Sequence, residues 1–136
     1  MSEKDKIVHI ILEHQPNTQA IYLFGSHGTA EERKDSDVDI AILLPPQQKN
    51  ENDSLIFNDL CYELETLLAK DVDLSNLRQA PTVLQKEIIA AERRIYCADQ
   101  YAADEFEMLT ISYYQRLNEE RAGIIKDALE VGRIIV

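Results

Sequence analysis

The sequence has little glycine and little proline, with four residues of each in a chain of 136. Disordered chains are usually rich in these residues and poor in apolar ones, whereas 45% of this chain is hydrophobic. We therefore expect a folded chain with a single hydrophobic core. At this length we expect no second catalytic domain.

Cysteine is also scarce, and the two cysteines and scattered histidines show no zinc-site spacing. Cys61 falls on the apolar stripe of a predicted helix, and Cys97 ends a predicted strand. We expect both to be small apolar side chains of the core, in a reducing compartment.

Long apolar runs are absent: no stretch of eighteen apolar residues occurs, and the polar start of the chain leads into no signal-like segment. These absences predict no membrane span and a cytoplasmic protein.

Basic residues are outnumbered, 14 Lys and Arg against 25 Asp and Glu, which gives a net charge of −11. A chain this acidic repels a phosphate backbone unless its basic side chains form a stripe, and Arg93-Arg94 is only a pair. The composition predicts no direct binding of nucleic acid. It favours a basic protein partner, or serves solubility alone.

The chain does contain two apolar strands joined by a polar loop, over residues 22–44. Asp37 and Asp39 alternate with apolar residues, so both project to one face, about 7 Å apart. Two carboxylates on one face favour a bound cation. Gly25 and Ser26 end the first strand, where a bare backbone, a hydroxyl and free N–H groups suit phosphate oxygens. This stretch predicts a site for a nucleoside triphosphate with a divalent metal.

The loop between these strands offers cations for the triphosphate. Arg33 and Lys34 lie within it, and His27 directly follows the Gly-Ser turn. A positive side chain here would steady the phosphates, although flexible surface charge is the simpler explanation for Arg33 and Lys34.

A second acidic stretch is Asp71-Val72-Asp73-Leu74. On a short strand its apolar residues would be buried, and both aspartates would face the other way. One of them would complete the metal site, and the alternation alone leaves both as candidates.

The remaining pattern alternates between helical and extended segments. Apolar residues at three- and four-residue steps predict helices over 3–13, 53–69, 82–91 and 100–131. Strands are predicted over 19–24, 37–44, 71–75 and 94–97. The result is a mixed sheet with helices.

Phe24-Gly25-Ser26, a ten-residue spacer and Ser36-Asp37-Val38-Asp39-Ile40 resemble the signature of the DNA polymerase beta-like nucleotidyltransferase superfamily. Within it, the chain resembles the minimal nucleotidyltransferase (MNT) group over residues 5–97. The resemblance implies an α/β (α+β) fold, in which a small mixed β-sheet is flanked by helices and followed by a helical C-terminal segment. We expect a core over residues 1–98 and a segment over 99–136 that packs on the core or on a partner, in a single domain.

The resemblance also implies roles for the site residues. In similar proteins the third aspartate lies inside its strand, which favours Asp73 over Asp71. Two Mg²⁺ or Mn²⁺ ions would be held by Asp37, Asp39 and Asp73, with ATP as substrate and Asp73 taking the acceptor's proton. The residues expected to contact the nucleotide are Gly25, Ser26, Ser36 and Arg33.

Proteins of the MNT group are encoded beside HEPN proteins and act as antitoxins. Characterised pairs transfer AMP from ATP to a tyrosine of the HEPN ribonuclease toxin and thereby silence it. The resemblance therefore implies a protein adenylyltransferase antitoxin, in a hetero-oligomeric complex with a HEPN toxin encoded by the adjacent gene.

Two other functions would use the same region. An aminoglycoside-type nucleotidyltransferase modifies a small-molecule hydroxyl, but the resistance enzymes carry a second domain that this chain lacks. An antitoxin that only masks its partner needs no intact carboxylates, whereas all three are present here.

Overall fold

The computed structural model describes residues 2–25, 37–46 and 53–135. Within these ranges the elements, in chain order, are α1 (Glu3–His14), β1 (Ala20–Phe24), β2 (Val38–Leu43), α2 (Asp53–Leu68), β3 (Val72–Asn76), a 3₁₀ turn (Leu77–Gln79), α3 (Thr82–Ala90), β4 (Arg94–Cys97) and α4 (Gln100–Ile135).

The predicted helices and strands are confirmed to within a few residues. The structure adds the 3₁₀ turn between β3 and α3, and α4 continues beyond the predicted end at residue 131. This helix passes through Gly123 without a break.

The four strands form one mixed sheet in the order β3-β2-β1-β4. β1 pairs antiparallel with both β2 and β4, whereas β2 and β3 run parallel. This arrangement confirms the predicted α/β class with a small mixed sheet and a helical C-terminal segment.

Both faces of the sheet are covered, because the buried residues of β2 alternate between two apolar clusters. Ile40 and its neighbours two residues away pack with α1 and α2 on one face. Ala41 and Leu43 pack with α3 and the start of α4 on the other. Since side chains alternate along a strand, Asp39 belongs to the α3–α4 face.

The first turns of α4 are attached to the sheet. Ala103 is buried, and Arg94 Nη1 lies 3.3 Å from Asp104 Oδ1 and 3.1 Å from Glu107 Oε2. All side chains over residues 115–124 are exposed. The division into a core over 1–98 and a segment over 99–136 stays a prediction.

The expectation for the cysteines is wrong in part. Cys97 is exposed, because it ends β4, whereas Cys61 on α2 is half-buried. No helix in the described ranges is long and apolar enough to cross a membrane.

Candidate active site

One edge of the sheet gathers the residues of interest. β1 ends at this edge, while β2, β3 and β4 begin there, because β1 runs opposite to its two neighbours and β3 runs parallel to β2. The same edge therefore carries Gly25 after β1, Asp37 before β2 and Arg93 before β4. No single stretch of sequence contains all three.

Asp39 and Asp73 are direct partners in the parallel register of β2 and β3. On its other side, Asp39 pairs with Phe24, the last residue of β1. Asp37 lies just before β2 and close enough to Asp39 for its negative charge to act on that carboxyl. The register thus places Asp39 and Asp73 on adjacent strands of one face, with Asp37 nearby.

Asp71 differs from Asp73 in its position. It lies just before β3, and its carbonyl oxygen accepts a hydrogen bond of 2.9 Å from the N–H of Val38. Asp73 lies inside the strand, opposite Asp39. The role predicted for Asp73 stays a prediction, and its position is compatible with that role.

Gly25 lies against the Asp39 carboxylate. Its φ is +73°, in the region that L side chains rarely adopt, and a Cβ built here would lie 2.1 Å from Asp39 Oδ2. No substituted residue fits unless the carboxylate moves, so glycine is required both by the backbone angle and by the close approach.

Ionisation of Asp39 is unfavourable in the protein without a metal ion. The pKa of Asp39 is raised above its usual value, first by burial and then by the negative charges of Asp73 and Asp37. A raised pKa means that the fold opposes the ionised form of this carboxyl. A bound cation would reverse this effect, because it stabilises the anion.

A metal at this edge can be tested against the side chains present. The described residues include no group of three or more His, Cys, Asp or Glu side chains already arranged to hold a metal ion. The donors at the edge are carboxylate oxygens, the type that Mg²⁺ and Mn²⁺ prefer. Binding requires the three carboxylates to turn toward one point, which their mutual repulsion opposes until a cation is present. The donor set therefore fits a hard divalent cation.

Several predicted site residues lie outside the described part of the chain. These are Ser26, His27, Arg33, Lys34 and Ser36. The contacts expected between them and the nucleotide stay predictions.

Arg93, which the sequence analysis considered only as part of the pair Arg93-Arg94, also reaches this edge. Its Nη1 donates a hydrogen bond of 3.2 Å to the carbonyl oxygen of Gly25, and its own carbonyl accepts one of 3.0 Å from the N–H of Leu23. In the sequence it is 68 residues from Gly25. Only the antiparallel pairing of β1 with β4 brings the two together.

A small mixed sheet with paired aspartates beside a glycine turn defines a nucleotidyltransferase. The chain belongs to the polymerase beta nucleotidyltransferase family, whose model matches residues 5–101.

Similar proteins extend the likeness over nearly the whole chain. The protein adenylyltransferase MntA of Shewanella oneidensis is 35% identical over 127 residues, which are 93% of this chain and 87% of MntA. A chain in a crystal structure of a toxin–antitoxin with AMP-PNP is 34% identical, with a TM-score of 0.75 over 93% of this chain and 98% of the other. A chain in the complex of a tri-AMPylated S. oneidensis HEPN toxin with its MNT antitoxin is 33% identical, with a TM-score of 0.70 over 93% and 96%.

Proposed function

We propose that this protein is an antitoxin that transfers AMP from ATP to a tyrosine hydroxyl of a HEPN ribonuclease toxin. The proposal rests chiefly on one observation: Asp39 lies opposite Asp73 and against Gly25, in a chain 35% identical to a protein adenylyltransferase over 93% of its length. A complete set of carboxylates at this edge supports catalysis rather than masking alone.

In this proposal Asp37, Asp39 and Asp73 would hold two Mg²⁺ ions, for which Mn²⁺ could substitute. The ions would supply charge stabilisation for the triphosphate and lower the pKa of the acceptor hydroxyl. Asp37 and Asp39 orient the α-phosphate. Asp73, on the outer strand β3, faces the acceptor and accepts its proton.

The transfer is an in-line displacement at the α-phosphorus. A bond forms between the tyrosine oxygen and this phosphorus, while the bond from the phosphorus to the oxygen that bridges the α- and β-phosphates breaks. Pyrophosphate leaves with the electron pair, and AMP remains on the tyrosine. The Gly25 backbone, Ser26, Ser36 and Arg33 are proposed to position the triphosphate.

The net charge of −11 fits a partner that is basic, as a ribonuclease that binds RNA would be. Complementary charge accelerates encounter more than it strengthens the final complex. A toxin that cleaves cellular RNA and a donor such as ATP both favour a cytoplasmic location.

The proposal is tested with the purified protein, the protein encoded by the adjacent gene, MgCl₂ and ATP labelled at the α-phosphate. We expect label on the partner, and a mass gain of one or more AMP units on a tyrosine peptide. Asp39→Asn should lower the transfer rate by about 10²-fold or more, because it removes charge at the reacting phosphate. Asp59→Asn, an exposed aspartate of α2, makes the same chemical change away from the edge and should retain full transfer.

Other outcomes identify the two alternatives. Tight binding to the partner without transfer from any of the four nucleotides indicates a masking antitoxin. Transfer to an aminoglycoside, with none to the partner, indicates a small-molecule nucleotidyltransferase.

A further inference from the structure

We propose that Arg93 contacts the β- and γ-phosphates of ATP and stabilises the departing pyrophosphate. This inference rests on the proposed nucleotidyl transfer and assigns a residue to the leaving-group side of the same site.

Two hydrogen bonds join Arg93 to the end of β1. The backbone carbonyl of Arg93 accepts from Leu23, and the guanidinium donates to the carbonyl oxygen of Gly25. Gly25 is also the residue at which a Cβ would clash with the Asp39 carboxylate. Arg93 therefore lies beside the turn over which a phosphate chain held at Asp39 would pass.

The order of the strands determines the order in which these residues lie along the edge. Across the sheet from β3 to β4 it presents Asp73, Asp39, Gly25 and then Arg93. Adjacent strands are about 4.8 Å apart, so β4 lies about 10 Å from β2. An extended triphosphate covers part of this distance, and the Arg93 side chain, whose Nη1 reaches Gly25 at the end of β1, covers the rest. With the α-phosphate at Asp39 and the acceptor at Asp73, the outer phosphates point toward Arg93.

The turn that precedes Arg93 has a strained backbone. Glu92, the preceding residue, has a φ of +53°, which is costly for a residue with a side chain. Arg93 also lies outside β4, which begins at Arg94. Its Nη1 reaches the carbonyl oxygen of Gly25 at this edge.

The neighbouring basic residue, Arg94, contacts α4. Arg94 forms salt bridges with Asp104 and Glu107 and so holds the start of α4 against the sheet. A guanidinium is well suited to phosphate, because its N–H groups form charge-assisted hydrogen bonds in a planar fork. Pyrophosphate gains negative charge as it leaves, so a cation at this place acts on the transition state as well as on binding.

The test compares nucleotides that differ only in their phosphates. AMP, ADP and AMP-PNP are titrated, with MgCl₂, against a fluorescent ATP analogue bound to the full chain. For Arg93→Gln we expect the affinity for AMP-PNP to fall by about 10- to 100-fold and the affinity for AMP to stay unchanged. Arg93→Lys should recover part of the loss, because it keeps the charge without the fork. Arg121→Gln, an exposed arginine of α4, is the matched control and should change neither affinity.

Three results would overturn the inference. Equal losses for AMP and AMP-PNP would assign Arg93 a purely structural role through Gly25, and unchanged affinity would assign it none. If the wild-type protein binds AMP-PNP no better than AMP, the protein makes no favourable contact with the β- and γ-phosphates and the inference is wrong. The proposed function fails separately: phosphate-dependent binding that requires Arg93, without transfer to the partner, retains this inference and rejects protein adenylylation.

Discussion

Asp39 and Asp73 lie directly opposite each other on two parallel strands, so two anionic side chains occupy neighbouring positions at the edge of the sheet. Residues chosen for stability alone would not be paired in this way, because burial and mutual repulsion both oppose ionisation. The cost is one that a bound cation would offset. Stability and function therefore impose opposite demands at Asp39.

Asp39→Asn is predicted to raise the Tm of the metal-free protein at pH 7. The raised pKa of Asp39 means that the unfolded state ionises first as pH increases. The wild type thus loses stability as pH rises through the folded pKa and carries the full penalty above it. The advantage of the variant should be greatest above the folded pKa and should shrink as pH falls toward about 4, the ordinary Asp pKa. Thermal unfolding followed by circular dichroism at several pH values measures this.

Added MgCl₂ gives the complementary test of the same residue. It should raise the Tm of the wild type more than that of Asp39→Asn, because a ligand that binds only the folded state stabilises it. Asp59→Asn should behave as the wild type in both experiments. A Tm advantage for Asp39→Asn that is independent of pH would contradict the electrostatic explanation.

Gly25→Ala is predicted to impair both folding and activity. The new Cβ would displace the Asp39 carboxylate, and the positive φ alone costs an alanine about 1–2 kcal/mol. Urea unfolding should show this loss, and AMP transfer should fall steeply because a ligand of the reacting centre has moved.

Gly123→Ala provides the opposite control for Gly25→Ala. Gly123 lies within α4, and a Cβ there meets nothing within 4 Å. Alanine is favoured over glycine in a helix, so we expect stability to increase by about 0.5–1 kcal/mol without a change in transfer. Equal effects of the two substitutions would show that the contact with Asp39 is unimportant.

The sequence predicted local structure well because its signals are local. The alternation around Asp37 and Asp39 and the stripes of the helices require only neighbouring residues. The alternation also left Asp71 and Asp73 equivalent, and only the pairing of β2 with β3 distinguishes them. The approach of Arg93 to Gly25 could not be predicted for the same reason, since it depends on which strand lies beside β1.

The two cysteines are predicted to react very differently with iodoacetamide at pH 8. Cys97 is exposed, whereas Cys61 is half-buried and its Sγ donates to the Val72 carbonyl at 3.1 Å. Burial, with the nearby carboxylate of Glu65, raises the pKa of Cys61 to about 11. Only about 0.1% of Cys61 is then a thiolate at this pH, and the thiolate is the reactive form. Mass spectrometry should find early label on Cys97 alone.

Single substitutions check the assignment of this label. Cys97→Ser should abolish rapid labelling, and Cys61→Ser should leave it intact. Rapid modification of Cys61 in the folded protein would show that α2 does not cover this thiol against β3.

Ala69→Gly is predicted to stabilise the protein. Ala69 follows the last residue of α2 with a φ of +55°, and its N–H donates to the Glu65 carbonyl at 2.8 Å. This is the left-handed position at which helices commonly end, and glycine adopts it without the steric cost that alanine incurs. We expect a gain of about 1 kcal/mol in the free energy of unfolding, measured in urea.

Ala122→Gly, on the exposed part of α4, is the control and should lose about as much stability, because there glycine weakens a helix interior. If both substitutions destabilise, the end of α2 does not adopt the left-handed turn. A gain in stability at Ala69 without loss of AMP transfer would show that this side chain is not required for catalysis.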